Sequence, residues 1–111
     1  MEIQEQQHGA VTALKPRGPV IEEGADLLKE RLLQVRTRSL GRLVLDVSAI
    51  PFVDGRALEA MLDVTEELAK SGQALKLCGE NDLLRKVLEV TDLAGLFEHF
   101  EDVNSAVRSF L

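Results

Sequence analysis

The sequence predicts an α/β fold: a small mixed, mostly parallel sheet with helical crossovers packed on it. Three observations carry this expectation. Short apolar runs alternate along the chain with longer stretches of helical periodicity. The gaps between successive runs are long enough to hold a helix, as parallel pairing requires. Leu43-Val44-Leu45-Asp46-Val47 is apolar on nearly every residue, as a strand covered on both faces should be.

In chain order, Met1 to Gly9 reads as a polar lead-in, and Ala10 to Leu14 alternates as a first strand. Pro16-Arg17-Gly18-Pro19 is a turn cluster, and Val20-Ile21 a short second strand; the two opening strands are expected to add an antiparallel edge. Ala25, Leu28, Leu32 and Val35 fall at helical spacing, which predicts a helix from about Gly24 to Arg38. The central strand follows. After it comes a second helix whose apolar stripe is read as Leu58, Met61, Leu62, Thr65, Leu68 and Ala69, with Glu59, Asp63, Glu66, Glu67 and Lys70 facing away. Ser71-Gly72 ends that helix. Ala74 to Cys78 is a short apolar strand, and Asn81 caps a helix carrying Leu84, Val87 and Leu88. Leu96 to Phe100 reads as the last strand. Asp102 caps a terminal helix with Val103, Ala106, Val107 and Phe110 at i, i+3, i+4 and i+7.

A chain of 111 residues, 45% hydrophobic and 29% charged, suits a single domain over 1–111 with one core. Its 13 basic and 19 acidic side chains give a net charge of −6, which opposes binding to phosphate backbones and to anionic membranes. Nucleic acid is therefore not an expected partner. The one cysteine, in Leu75-Lys76-Leu77-Cys78, reads as a buried strand end, which suits a reducing cytoplasm. No apolar run approaches the ~18 residues of a membrane span, and MEIQEQQHGA has no signal-peptide core.

The junction after the central strand is the most informative stretch. Pro51 cannot donate to a sheet ladder, so the strand breaks at Ser48-Ala49-Ile50-Pro51, and helical periodicity begins after Phe52-Val53-Asp54-Gly55. Asp54 is the expected N-cap of the helix, with Gly55 allowing the backbone to bend. The pattern LVLDVSAIPFVDGRAL, followed by an acidic amphipathic helix, resembles the core of the STAS family, the domain of bacterial anti-sigma-factor antagonists. That family reads Asp-Ser-Ser-Gly-Leu where this chain has Asp54-Gly55-Arg56-Ala57, so Arg56 occupies the position of the serine that a partner kinase phosphorylates.

The resemblance implies a non-catalytic regulatory module that docks a protein partner, a kinase-type anti-sigma factor or a related regulator, without the usual serine switch. The implied contact residues are Phe52, Asp54, Gly55 and Arg56 of the loop and Glu59 and Asp63 of the helix. Ser48, in the same loop, is an alternative phosphoacceptor. The same resemblance also allows a subunit of a stressosome or of a lipid-transport ATPase complex.

Catalytic chemistry finds little support in the residues. His8 and His99 have no further histidine or cysteine at ligand spacing, so no metal is expected. Cys78 has no activating neighbour in sequence. Asp46 and Asp54 each have a structural reason to stand where they do, at a strand end and at a helix cap. The glycines form neither GxGxxG nor a GK[ST] ending, and no cofactor is implied. The remaining alternative to a protein-docking module is a small-ligand domain using the crevice at the carboxyl ends of the strands, near Asp46, Ser48 and Asp54.

Overall fold

The computed structural model describes residues 1–111. Strand β3 (Leu43–Asp46) is buried at all four positions and lies at the centre of a five-stranded sheet. Its neighbours are β2 (Val11–Arg17) and β4 (Lys76–Cys78), with β1 (Glu2–His8) and β5 (Glu98–Phe100) at the two edges. β2, β3, β4 and β5 run parallel; β1 alone is antiparallel, paired with β2 from Glu2↔Arg17 to His8↔Val11. The expectation of a small, mostly parallel α/β sheet is met.

Strand alternation divides the core into two layers. Leu14, Leu43, Leu45 and Leu77 point to one face, where α1 (Glu23–Ser39), α2 (Gly55–Ala69) and α3 (Asp82–Val90) bury Leu28, Leu32, Met61, Val64, Leu68, Leu84 and Leu88. Val11, Ala13, Val44 and Cys78 point to the other face, covered by Ala106 of α4 (Val103–Arg108) with Val103, Val107, Phe100 and Phe110. Lys76 is also buried there. Its ammonium donates to Ser109 Oγ at 2.7 Å, lies 3.5 Å from the Glu98 carboxylate of β5 and sits 4.3 Å from the Phe110 ring, so the charge is met by β5 and the C-terminal segment together.

Several boundaries differ from the sequence reading. The polar lead-in is strand β1, an edge strand of which only Ile3 and His8 are half-buried, so almost no apolar alternation marks it. Its charged and amide side chains suit an edge that must not recruit another strand. Gly9, at φ +62°, makes the tight connection to β2 that L side chains resist. The antiparallel edge is therefore β1 with β2, not β2 with Val20-Ile21. The latter forms only an isolated parallel bridge, Val20↔Val53. Pro16 and Arg17 lie within β2 rather than in a turn. Because β2 pairs with β3 only over Thr12–Leu14, the missing N–H of Pro16 costs the sheet no ladder bond on that side.

The α2 stripe is also turned. Ala57, Ala60, Met61, Val64, Thr65 and Leu68 are buried, whereas Leu58 and Leu62 are half-buried and Ala69 is exposed. Small Ala57 and Ala60 are among the buried positions of α2, a role that hydrophobicity alone does not signal. The N-caps predicted at Asp54, Asn81 and Asp102 are all present.

Candidate functional site

The β3–α2 connection, residues 47–54, is fixed from three sides. Asp46 accepts from the Ser48 N–H at 3.0 Å, starting the turn as the strand ends. Asp54 closes it. One carboxylate oxygen accepts the Ala57 N–H at 2.9 Å, capping α2, and the other accepts the Glu22 N–H at 2.8 Å, tying the β2–α1 loop to the same point. The two loops are further joined by Gly18 N–H to the Ala49 carbonyl, Val20 N–H to the Phe52 carbonyl and Asp54 N–H to the Val20 carbonyl. From the other side, the Asn81 amide donates to the carbonyls of Ile50 at 3.2 Å and Pro51 at 3.1 Å while its oxygen caps α3.

A loop so tied has little freedom, and its tip is Phe52, 46% exposed. An aromatic ring held outward on a constrained backbone loses little entropy on docking. Pro51 beside it and Leu83 in the first turn of α3 are also exposed, so the Asn81 clamp brings a second apolar side chain towards the loop.

The Asp54 carboxyl is held below the usual carboxylate range, first by the Glu22 N–H and then by the Ala57 N–H. Asp54 and Asp46 bond separate backbone groups and share no partner, so the structure does not unite them as a carboxylate pair. Gly55 begins α2 without a positive φ and with open space where a Cβ would stand, so the bend does not depend on it. Glu22 is the residue under conformational strain, a non-glycine at φ +52°, ψ −128°.

Arg56 is not a free side chain at the helix start. Its guanidinium makes a two-point contact with the Asp26 carboxylate of α1, through Nε at 3.1 Å and through Nη2. Asp63 is likewise turned to α1 and accepts from Lys29 at 2.8 Å, a bond that raises the Lys29 pKa. Glu67 bonds Lys70. The acidic face read from the sequence is thus partly spent on helix pairing, and Glu59 and Glu66 are the exposed carboxylates of α2.

Phe52, Asp54, Gly55, Arg56 and Glu59 form one continuous stretch of surface and backbone, with Asp63 further along α2 on the side facing α1. Ser48 is exposed at the opposite end of the loop, against Gly79. Sequence reasoning missed Glu22, Asp26 and Asn81 as parts of this site. Asn81 was visible as a cap, but its second set of bonds depends on the β3–α2 loop lying beside it, which only the folded sheet brings about.

This arrangement defines a class: a parallel α/β domain with a preorganised strand-to-helix loop and no assembled catalytic group at that loop. The chain belongs to the STAS domain family, whose model matches residues 2–106. Protein TM1081 of Thermotoga maritima has a similar structure at 18% identity, with a TM-score of 0.87 over 96% of this chain and 92% of that one. An anti-sigma factor antagonist from Mycobacterium paratuberculosis is 20% identical, with a TM-score of 0.84 over 97% and 92%. The Bacillus cell fate determinant SpoIIAA in its phosphorylated form is 12% identical, with a TM-score of 0.75 over 99% and 100%. These likenesses show a common fold. No curated protein matches the sequence. No helix is long and apolar enough to cross a membrane.

Proposed function

We propose that this STAS domain is a non-catalytic, cytoplasmic docking module of the anti-sigma-factor antagonist kind. Phe52, Asp54, Gly55 and Arg56, with Glu59 and Asp63 of α2, meet a regulatory protein of the kinase-type anti-sigma factor class. The observation that carries this reading is the loop tied by Asp54 and Asn81, which offers an exposed Phe52 on a fixed backbone.

Asp54 and Gly55 serve by shaping the surface, Phe52 by filling an apolar recess of the partner. Arg56, at the position where the family motif carries the phosphorylated serine, gives a permanent positive charge in place of a switchable negative one. Paired to Asp26, it also bonds the two helices that border the loop. Docking of this module is then not released by phosphate at that position.

The test is calorimetric titration against the anti-sigma-factor kinases of the same organism, using the unaltered protein and Phe52→Ala. The reading predicts saturable one-to-one binding, weakened roughly tenfold or more by loss of an anchoring aromatic ring. Binding unaffected by Phe52→Ala rejects the loop as the contact.

A further inference from the structure

The edge strand β5 is three residues long, and the segment leading into it from α3 contains a single helical turn, Ala94–Leu96. His99 of β5 joins this segment to the turn between β4 and α3. Its ring meets an acceptor at each nitrogen: Nδ1 lies 2.8 Å from a Glu80 carboxylate oxygen, and Nε2 lies 2.6 Å from the Ala94 carbonyl. The buried Phe97 ring packs against the imidazole edge-to-face, with the centroids 6.5 Å apart.

These two contacts fix the proton count. A carbonyl oxygen has no hydrogen to give, so Nε2 donates to Ala94. A neutral imidazole would then turn the Nδ1 lone pair towards a carboxylate oxygen, two acceptors with nothing between them. One further proton therefore lies between His99 and Glu80. The Glu80 side chain is only 5% exposed, and an enclosed carboxylate is stabilised by a positive donor at hydrogen-bond distance, which places that proton on the ring. Burial opposes the imidazolium charge, but the Ala94 carbonyl and the Glu80 carboxylate outweigh it and hold the His99 pKa above its ordinary value. Arg85 of α3 is a smaller opposing influence, itself drawn to the Asp82 carboxylate and the Glu80 backbone carbonyl. Glu89 of α3 and Glu101 after β5 line the same crevice, and Glu98 is turned to Lys76.

We propose that His99 is a proton-operated catch: as an imidazolium it ties Glu80, at the β4–α3 turn, to Ala94, before β5, and on losing its proton it keeps only one of the two bonds and loosens that edge of the sheet. The neutral ring keeps its one hydrogen for Ala94 and loses Glu80. The segment is also held by Thr65 Oγ1 donating to the Leu96 carbonyl and by Glu98 N–H donating to the Leu75 carbonyl, neither of which titrates, so the release is local. A raised folded pKa contributes stability that is fully present below the unfolded value of about 6.5 and is lost as pH rises through the folded value. The catch does not depend on the docking loop or on any partner.

The experiment is a pH titration of the full chain, labelled with nitrogen-15, that follows the His99 ring nitrogens and the exchange of the Leu96 and Phe97 amides, whose bonds to Leu93 and Ala94 form the turn. At about pH 6 both ring nitrogens should be protonated, and Nδ1 should lose its proton at a pH above the ordinary histidine value of about 6.5. Across that transition the two amides, corrected for the intrinsic pH dependence of exchange, should exchange roughly tenfold faster, the worth of one charge-assisted bond. Glu80→Gln should bring the transition to lower pH. His99→Gln, at an exposed position, should abolish the step in exchange, and carries the test if Glu80→Gln does not fold. The proposal is overturned if Nδ1 carries no proton at about pH 6, if its transition lies at or below about 6.5, if Glu80→Gln leaves it unmoved, or if the exchange step is absent or survives in His99→Gln.

Discussion

The Asp54 carboxylate accepts the backbone N–H of Glu22 at 2.8 Å, joining the start of α2 to the residue that precedes α1. Glu22 is one of three non-glycine residues at positive φ, and its φ +52°, ψ −128° backbone belongs to glycine's range. Residues held in such regions cost about 1–3 kcal/mol each and persist where surrounding bonds over-determine them. Here that bond comes from Asp54, the N-cap of α2. Glu22→Gly should keep the Asp54 bond, which uses only the backbone N–H of residue 22, and raise stability by about 0.5–1 kcal/mol in urea unfolding. A loss of stability would mean that the Glu22 backbone is not strained.

Acid should loosen this junction. The folded Asp54 carboxyl lies below its unfolded value because it accepts the Glu22 and Ala57 N–H groups. A lowered folded pKa contributes stability that is fully present above the unfolded value of about 3.9 and is lost as pH falls through the folded value. Asp54→Asn keeps a cap acceptor but cannot titrate. Its urea midpoint should fall less steeply than that of the unaltered chain below about pH 4. Identical acid slopes would show that Asp54 is equally acidic in both states.

Cys78 tests the sheet's second layer. It is 1% exposed beneath α4, and burial, with the neighbouring Asp46 charge, pushes its thiol pKa up to about 12. The thiolate is the reactive form, so a thiol reagent should label the native chain slowly and the urea-unfolded chain quickly. Equal rates would place α4 away from the sheet.

How much of this was legible in the sequence depends on burial. β3, α1 and the caps at Asp54, Asn81 and Asp102 could be read because apolar periodicity and capping chemistry are local. β1 could not, since an edge strand with polar residues on both faces has no alternation to read. At the site, Asp54 was legible as a cap, whereas its bond to Glu22 was not, being set by which loops the sheet order brings together. Arg56 was read as a contact residue of the loop, whereas its bond to Asp26 was not legible because Asp26 sits on another helix.

On the proposal that Arg56 stands in place of the family's serine, phosphorylation should not occur at that position, because Arg56 has no hydroxyl. Incubation with ATP and a cognate kinase should leave the intact mass unchanged. The informative alternative is phosphate on Ser48, which is exposed in the same loop. A mass increase abolished by Ser48→Ala would mean that the switch has moved along the loop, and would overturn the unswitched reading.

Charge at Arg56 separates docking from stability. Arg56→Glu places a carboxylate in the first turn of α2, which the helix dipole favours by about 0.3–1 kcal/mol. It also removes the contact with Asp26 and sets two acids against each other. A pair this exposed contributes about 0–1 kcal/mol, so the two effects nearly cancel and melting should change little. Binding should respond far more, because the substitution reverses a charge at the centre of the proposed interface and partly imitates a phosphorylated family member. Arg42→Glu makes the same charge change at the amino end of β3, the end of the sheet away from the loop, and Arg42 is exposed there with no side-chain partner, so it should leave binding largely unaltered. Partner affinity equal in Arg56→Glu, Arg42→Glu and the unaltered chain, with all three melting alike, would remove Arg56 from the docking surface and leave it as a bond between α1 and α2.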